Sequence, residues 1–187
     1  MAVSAPRRAM VVAHPDDETL WGGGLLAEDP SIQVFVCSKP ARDPARVEQF
    51  FKACAIYGVQ GSVWSQPDSM PYLDPYKYLN GMDGFDEIIT HNHAGEYGHS
   101  HHRQVHEYIR KHFRGRIITF GHGIAAPTVE LSEEHWDKKL RALKCYETIL
   151  THAFPQRTAW EWCVKLYFDG DVEKLRYEKR GPILRAD

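Results

Sequence analysis

The stretch that most constrains the fold runs from Met10 to Gly24. An apolar run, Met10-Val11-Val12-Ala13, enters His14-Pro15-Asp16-Asp17-Glu18 and is followed by Leu20-Trp21-Gly22-Gly23-Gly24. This order reads as a strand that turns sharply into a helix. Pro15 fixes φ at the turn, and the three acids fall in the first helical turn, where the helix dipole favours ionised carboxylates. The rest of the chain continues the alternation. Strands are predicted over 32–36, 63–64, 87–90 and 117–120 in addition to 9–13. Helices are predicted over 18–27, 45–57, 100–113 and 132–149, with Val47, Phe50, Phe51, Ala53, Cys54 and Tyr57 as the apolar stripe of the second and Gly58 as its cap. A loop-rich stretch with three prolines lies between 67 and 84. Strand-helix alternation predicts an α/β, Rossmann-like, doubly wound and mostly parallel sheet with helices on both faces. Ligands then bind beyond the carboxyl ends of the strands. His14 and a later histidine cluster both fall just past predicted strand ends.

Bulk properties narrow the partners. Lys plus Arg number 23 against 25 Asp plus Glu, for a formal charge of −2, so nothing in the overall charge calls for nucleic acid or an anionic membrane. No apolar run approaches the ~18 residues of a membrane span, and the N-terminus has no signal-length apolar core. The four cysteines are far apart, without a Cys-x-x-Cys, so neither a disulfide framework nor a zinc knuckle is indicated. A cytoplasmic location is expected. At 187 residues, 43% of them hydrophobic, a single domain with an adequate core is expected. The aromatic tail (Trp160, Trp162, Tyr167, Phe168, Tyr177) is read as packing, with use as a carbohydrate platform left open.

The chemistry concentrates at two places. A histidine followed after one residue by paired carboxylates offers a cation an imidazole and an oxygen, with one carboxylate left for proton transfer. Taken alone, the hexapeptide Ala13 to Glu18 reads equally well as an acidic helix start. The second place is Glu96-Tyr97-Gly98-His99-Ser100-His101-His102-Arg103-Gln104-Val105-His106, preceded by His91 and His93. Six of the eleven histidines lie between 91 and 106. Such crowding is repulsive unless a cation or a carboxylate absorbs it. Helical spacing places His99, His102 and His106 on one face. His102 and His106 have the spacing of a zinc-protease pair, but Arg103 stands where that pattern needs its glutamate base, so that reading fails.

The block from Ala13 to Gly24 and the Gly98-His99-x-x-His102 block, in this order, resemble the LmbE-like, or PIG-L-like, zinc-dependent de-N-acetylases. Fainter similarities are Arg46-x-Glu48, the strand before the histidines and the late helix. The resemblance covers roughly residues 8–150, leaving a short C-terminal extension of the one domain spanning 1–187. It implies that His14, Asp17 and His102 bind one zinc ion, or another divalent transition metal in its place. It also implies that Asp16 is the general base, that His99 stabilises the oxyanion or acts as the acid, and that Tyr97 lines the site. Arg46 is expected to contact a hydroxyl or phosphate of the substrate, or else to pair with Glu48 or another acid. His91, His93, His101 and His106 default to supporting or surface roles. One departure from the pattern is His101, which stands where many relatives have a carboxylate. If it faces His99, that histidine lacks electrostatic support.

The implied activity is removal of an N-acetyl or other small acyl group from an amino sugar or its conjugate, the small molecule being the expected partner. A homo-oligomer is left open. An amidated thiol conjugate is the nearest alternative substrate. A dinucleotide-binding module is the alternative from another class, but Gly-x-Gly-x-x-Gly is missing and two carboxylates at the first turn would repel a pyrophosphate. A histidine-rich metal-buffering protein is a third reading, which metal stoichiometry separates from the others.

Overall fold

The computed structural model of the chain describes residues 5–69, 72–73, 82–121, 128–146 and 172–178. Its elements are β1 (Arg8–Val12), α1 (Asp17–Glu28), β2 (Gln33–Val36), α2 (Ala45–Tyr57), β3 (Gln60–Val63), a 3-10 turn (Met82–Gly84), β4 (Glu87–Thr90), α3 (Ser100–His112), β5 (Arg116–Phe120), β6 (Thr128–Glu130), α4 (Glu133–Lys144) and β7 (Val172–Glu178). The sheet order is β3-β2-β1-β4-β5-β7-β6. The first five strands are parallel, whereas β7 runs antiparallel to both β5 and β6. The α/β, mostly parallel architecture expected from the alternation is therefore present.

The alternation of side chains along β1 explains the layers. Met10 and Val12 join Val34, Val36, Ile89, Ile118 and Phe120 in one core beneath α1, α2 and α4. Ala9 and Val11 join Ile88, Ile117, the α3 residues Val105 and Ile109, and Phe113 just past that helix in a second core on the opposite face. A strand buried on both faces needs a continuous apolar run, as β1 has. The chain leaves β1 toward β2 on one side and returns to β4 on the other, so β1 and β4 flank the point where strand order reverses. Their carboxyl ends open the crevice in which such sheets bind ligands.

Three sequence expectations need correction. The third strand is Gln60–Val63, not 63–64. It is an edge strand paired to β2 through its backbone, so it needs no apolar run, and its Gly61 passes close over α2. A Cβ there would lie 2.7 Å from Cys54 Sγ and from the Phe50 ring. The late helix ends at Lys144 with a turn at Cys145 and Tyr146, and residues 147–149 lie outside the described part. The antiparallel pair β6 and β7 was not anticipated. Of the aromatic tail only Tyr177 lies in the described residues, in β7. The other boundaries fall within one or two residues, and Gly58 caps α2 in the left-handed region at φ 79°.

The glycine triplet after the acidic turn has a packing role. A Cβ on Gly22 would meet Met10 Cε at 2.4 Å, and one on Gly23 would meet Tyr57 Oη at 2.5 Å. These residues let α1 lie close against β1 and α2, which accounts for them without a phosphate. Among the described residues no helix is long and apolar enough to cross a membrane.

Candidate metal centre

Two loops meet at the crevice, one after β1 and one after β4. Each contains a non-glycine residue in the left-handed region: Asp16 at φ 114° and Glu96 at φ 56°. Such conformations cost about 1–3 kcal/mol and persist where surrounding contacts enforce them. Both residues are buried carboxylates.

The contacts that hold Asp16 are specific. Its backbone N–H donates to Glu18 Oε2 at 2.9 Å, and Arg46 Nη2 meets its Oδ2 at 2.5 Å. Arg46 also donates from Nε to the Pro15 carbonyl at 2.6 Å, so it grips both side chain and backbone of the turn. Glu18 is fixed in turn by the hydroxyls of Thr19 at 2.7 Å and Tyr146 at 2.6 Å. Burial lifts the Glu18 carboxyl to about 7, against the pull of these donors. Tyr146 thus ties the turn after β1 to the end of α4, 128 residues away. Tyr146→Phe removes one donor from a buried carboxylate and should lower stability by about 1–3 kcal/mol, read from the denaturant midpoint at unchanged slope.

The second loop runs from His91 to His99. The Glu96 carboxylate accepts from the Asn92 amide at 2.8 Å through Oε1, while Oε2 faces His91 Nδ1 at 2.9 Å and His102 Nδ1 at 2.6 Å. Asn92 anchors the loop to β5 by donating from Nδ2 to the Phe120 carbonyl at 2.9 Å. Gly95, at φ 68°, permits the close turn, because a Cβ there would lie 2.6 Å from the His99 carbonyl oxygen. Gly95→Ala combines this backbone collision with a disfavoured φ. A loss of about 1–3 kcal/mol is expected in thermal melting.

Between the loops lies a set of donors. Asp17 Oδ2 is 3.2 Å from His14 Nδ1, 3.3 Å from His102 Nε2 and 3.5 Å from His91 Nε2. Donor atoms within 4.8 Å of one another form two groups sharing His102: His14, His99 and His102, and Asp17, His91 and His102. The triple implied by the family resemblance straddles both groups. Hydrogen bonding removes His91 from contention. The Ala13 backbone N–H, which can only donate, gives to His91 Nε2 at 2.9 Å. That contact, shorter than the 3.5 Å approach to Asp17, uses the lone pair a cation would need. His102 Nε2 by contrast is buried with no hydrogen-bond partner of acceptable geometry among the described residues, although Asp17 lies beside it. The 3.2 and 3.3 Å separations match the edge of a tetrahedron with zinc-donor bonds of about 2.0–2.1 Å, which is about 3.3 Å. The residues present fit a divalent cation.

Electrostatics agree with this division. Burial by itself raises Asp17, but His102 and then His14 outweigh it and hold the carboxyl well below its usual range. Burial lowers His102, yet Asp17 and Glu96 outweigh that and raise it to about 10. The two carboxylates thus demand positive charge between them, which a proton or a cation can supply. Asp16 differs from its neighbour. Burial raises its carboxyl, Arg46 opposes, Asp17 adds to the rise, and the net direction is upward. His99 is pushed down to about 4, first by burial and then by the positive charge of His102 and His14. It is held neutral, so an imidazolium acid at position 99 is not what this arrangement favours. A neutral N–H donor is.

The remaining expected residues take definite places. Tyr97 is half exposed at the rim, with its ring 5.8 Å from that of His99 and 5.5 Å from that of His102, and it stacks on Trp21 at 6.2 Å. Arg46 is committed to Asp16 and Pro15, while Glu48 pairs instead with Lys52 at 2.7 Å. His101 is buried. Its Nδ1 is 2.9 Å from His14 Nε2, and its ring is 5.4 Å from that of His99, so it faces both. His106 points away from the donor set, giving its Nδ1 proton to the His91 carbonyl at 2.7 Å, and His93 is exposed. Sequence reasoning passed over Glu96, Glu18 and Tyr146. A glutamate two residues before a Gly-His pair was a usable signal for Glu96; nothing in the sequence links Tyr146 to residue 18.

No protein-family model matches the chain. A curated relative, the uncharacterised protein L374 of Acanthamoeba polyphaga mimivirus, is 24% identical over 121 residues, covering 52% of this chain and 54% of the viral protein. The chain therefore spans about half the length of that relative. Solved structures are similar over nearly the whole chain. GalB, the 4-carboxy-2-hydroxymuconate hydratase of Pseudomonas putida, superposes with a TM-score of 0.72 at 14% identity, covering 97% of this chain and 100% of that one. The zinc-inhibited form of the teicoplanin deacetylase Orf2 gives 0.68 at 11% identity, over 94% and 99%. The A40926 pseudoaglycone deacetylase Dbv21 gives 0.65 at 14%, over 95% and 100%. The chain has an LmbE-like fold. In the LmbE-like fold of this chain, the two sequence blocks that carry the resemblance are the two loops that meet at the crevice, after β1 and after β4.

Proposed function

We propose that the chain is a divalent-cation-dependent hydrolase that removes an acetyl or similarly small acyl group from the nitrogen of an amino sugar or sugar conjugate. The observation that carries this reading is the divergence of two adjacent carboxylates: Asp17 is aimed into the imidazoles, and Asp16 is turned away toward Arg46. One acid is thereby given to a cation, and its neighbour is kept for protons. The two deacetylases among the similar structures support the same class of reaction.

His14, Asp17 and His102 would hold the ion, one zinc per chain, with another divalent transition metal able to substitute. Bound there, zinc supplies Lewis-acid polarisation of the amide carbonyl and of water. Asp16 takes the proton of the attacking water and returns it to the departing amine, with Arg46 fixing the carboxylate in place. His99, neutral, donates its N–H to the oxygen on which negative charge develops. Tyr97 lines the rim against the acyl or sugar moiety. Water and amide become carboxylate and amine.

The test is acetate release from N-acetylated sugars, nucleotide sugars, aminoglycoside-like acceptors and acylated thiol conjugates, with and without a chelator. A second reading, addition of water to a carbon-carbon double bond, draws on the similarity to a hydratase. Bleaching of a conjugated unsaturated acid without any acetate release would favour it over the first.

A further inference from the structure

We propose that Glu96 is a positioning residue that assigns cation binding to His102 and withholds it from His91, by holding both imidazoles as Nδ1–H tautomers. This inference rests on the cation centre proposed above. Both histidines are buried beside Asp17, and their rings stack 3.8 Å apart at 16°. By proximity to Asp17 either imidazole is a candidate ligand. The difference between them lies in what each nitrogen faces.

Glu96 Oε2 is an acceptor placed against the Nδ1 of both rings, at 2.9 Å from His91 and 2.6 Å from His102. An ionised carboxylate only accepts, so each Nδ1 carries a proton and Nε2 is the nitrogen that holds the lone pair whenever the ring is neutral, as a ring that ligates a cation must be. The His91 lone pair is then taken by the Ala13 amide at 2.9 Å. The His102 Nε2 meets no such donor among the described residues and lies 3.3 Å from Asp17. A single carboxylate thus sets both tautomers, and the backbone before His14 selects between the two rings. The strained φ of 56° at Glu96 is what brings the carboxylate beneath both rings while Oε1 stays on the Asn92 amide. His91 becomes a strut that registers the backbone preceding His14 against the same carboxylate that orients His102.

Glu96→Gln tests this with nearly unchanged shape. Either the amide NH2 faces the imidazoles, forcing Nε2–H tautomers that leave His102 no lone pair for a cation and set His91 donor against donor with the Ala13 backbone N–H, or it faces the Asn92 backbone N–H, donor against donor. Zinc affinity of the full chain, measured by competition with a chromophoric chelator, should fall by about 10–100-fold, the size typical of losing a supporting partner of a ligand histidine. The Co2+ absorption bands should shift or weaken. A purely structural role would lower melting of the metal-free protein while leaving affinity and the Co2+ spectrum as they were. Equal zinc affinity and an identical Co2+ spectrum in Glu96→Gln overturn the inference. Should that variant fail to fold, nitrogen-15 NMR of the unaltered, zinc-loaded chain decides: protons on Nδ1 of both His91 and His102 support it, and an Nε2 proton on either overturns it. An unaltered chain that takes up no ion would instead overturn the cation centre, and this inference with it.

Discussion

Asparagine in place of Asp16 should lower turnover by at least about two decades while the ion content of the purified chain stays unchanged. The side chains are nearly the same size, and asparagine tolerates the positive φ that residue 16 adopts, so the turn after β1 is kept. An amide cannot take a proton from water, so the step assigned to this position is lost. Asp17→Asn should behave in the opposite way. Its Oδ2 faces His14 and His102, and losing that charge removes the oxygen ligand along with the field that favours a cation. Metal analysis of the two variants side by side separates the roles even before the best substrate is known. If Asp16→Asn loses the ion and Asp17→Asn keeps it, the two carboxylates have been assigned the wrong way round. Arg46→Met adds a check: it leaves the base in place but removes its anchor, so turnover should fall without loss of the ion.

Much of the frame that carries these two carboxylates could be read from the chain itself, because the features that specify it are local. The apolar run of β1, the proline, and the acids that follow lie within nine residues, and the β1 residues alternate between the two cores as a parallel strand requires. The histidines were legible as a cluster for the same reason. What escaped was long-range or sequence-poor. The edge strand β3 is held by backbone pairing to β2 and has no apolar pattern to detect. The antiparallel addition of β7 beside β5 depends on a return of more than fifty residues. Arg46 was expected to contact substrate or to pair with Glu48 or another acid; that acid is Asp16, thirty positions away, which spacing on α2 could not single out. Tautomers are further still from the sequence. His91 and His102 are the same residue type in the same cluster, and only the donors around each ring distinguish a ligand from a strut.

His102→Ala should strip the ion altogether and abolish hydrolysis, whereas His106→Ala should leave the ion bound. Both positions lie on α3, one turn apart, and both are buried, so burial or helix position alone would predict equal damage. Their nitrogens differ. His102 Nε2 lies 3.3 Å from Asp17 with no hydrogen bond of its own, and its Nδ1 is held by Glu96. His106 spends its Nδ1 proton on the His91 carbonyl, away from Asp17. Removing one of three ligands should weaken binding by more than the roughly 10–100-fold of a lost supporting partner, enough for the ion to be missing after purification. Loss of the His106 hydrogen bond frees the carbonyl of residue 91, which lies outside the proposed ligand set, so a fall in melting temperature at full occupancy is expected there. Full occupancy in His102→Ala would reject the ligand set and, because His102 belongs to both donor groups, would reject each of them as the site. Equal loss in both variants would mean that the imidazole cluster as a whole, and not one aimed nitrogen, holds the ion.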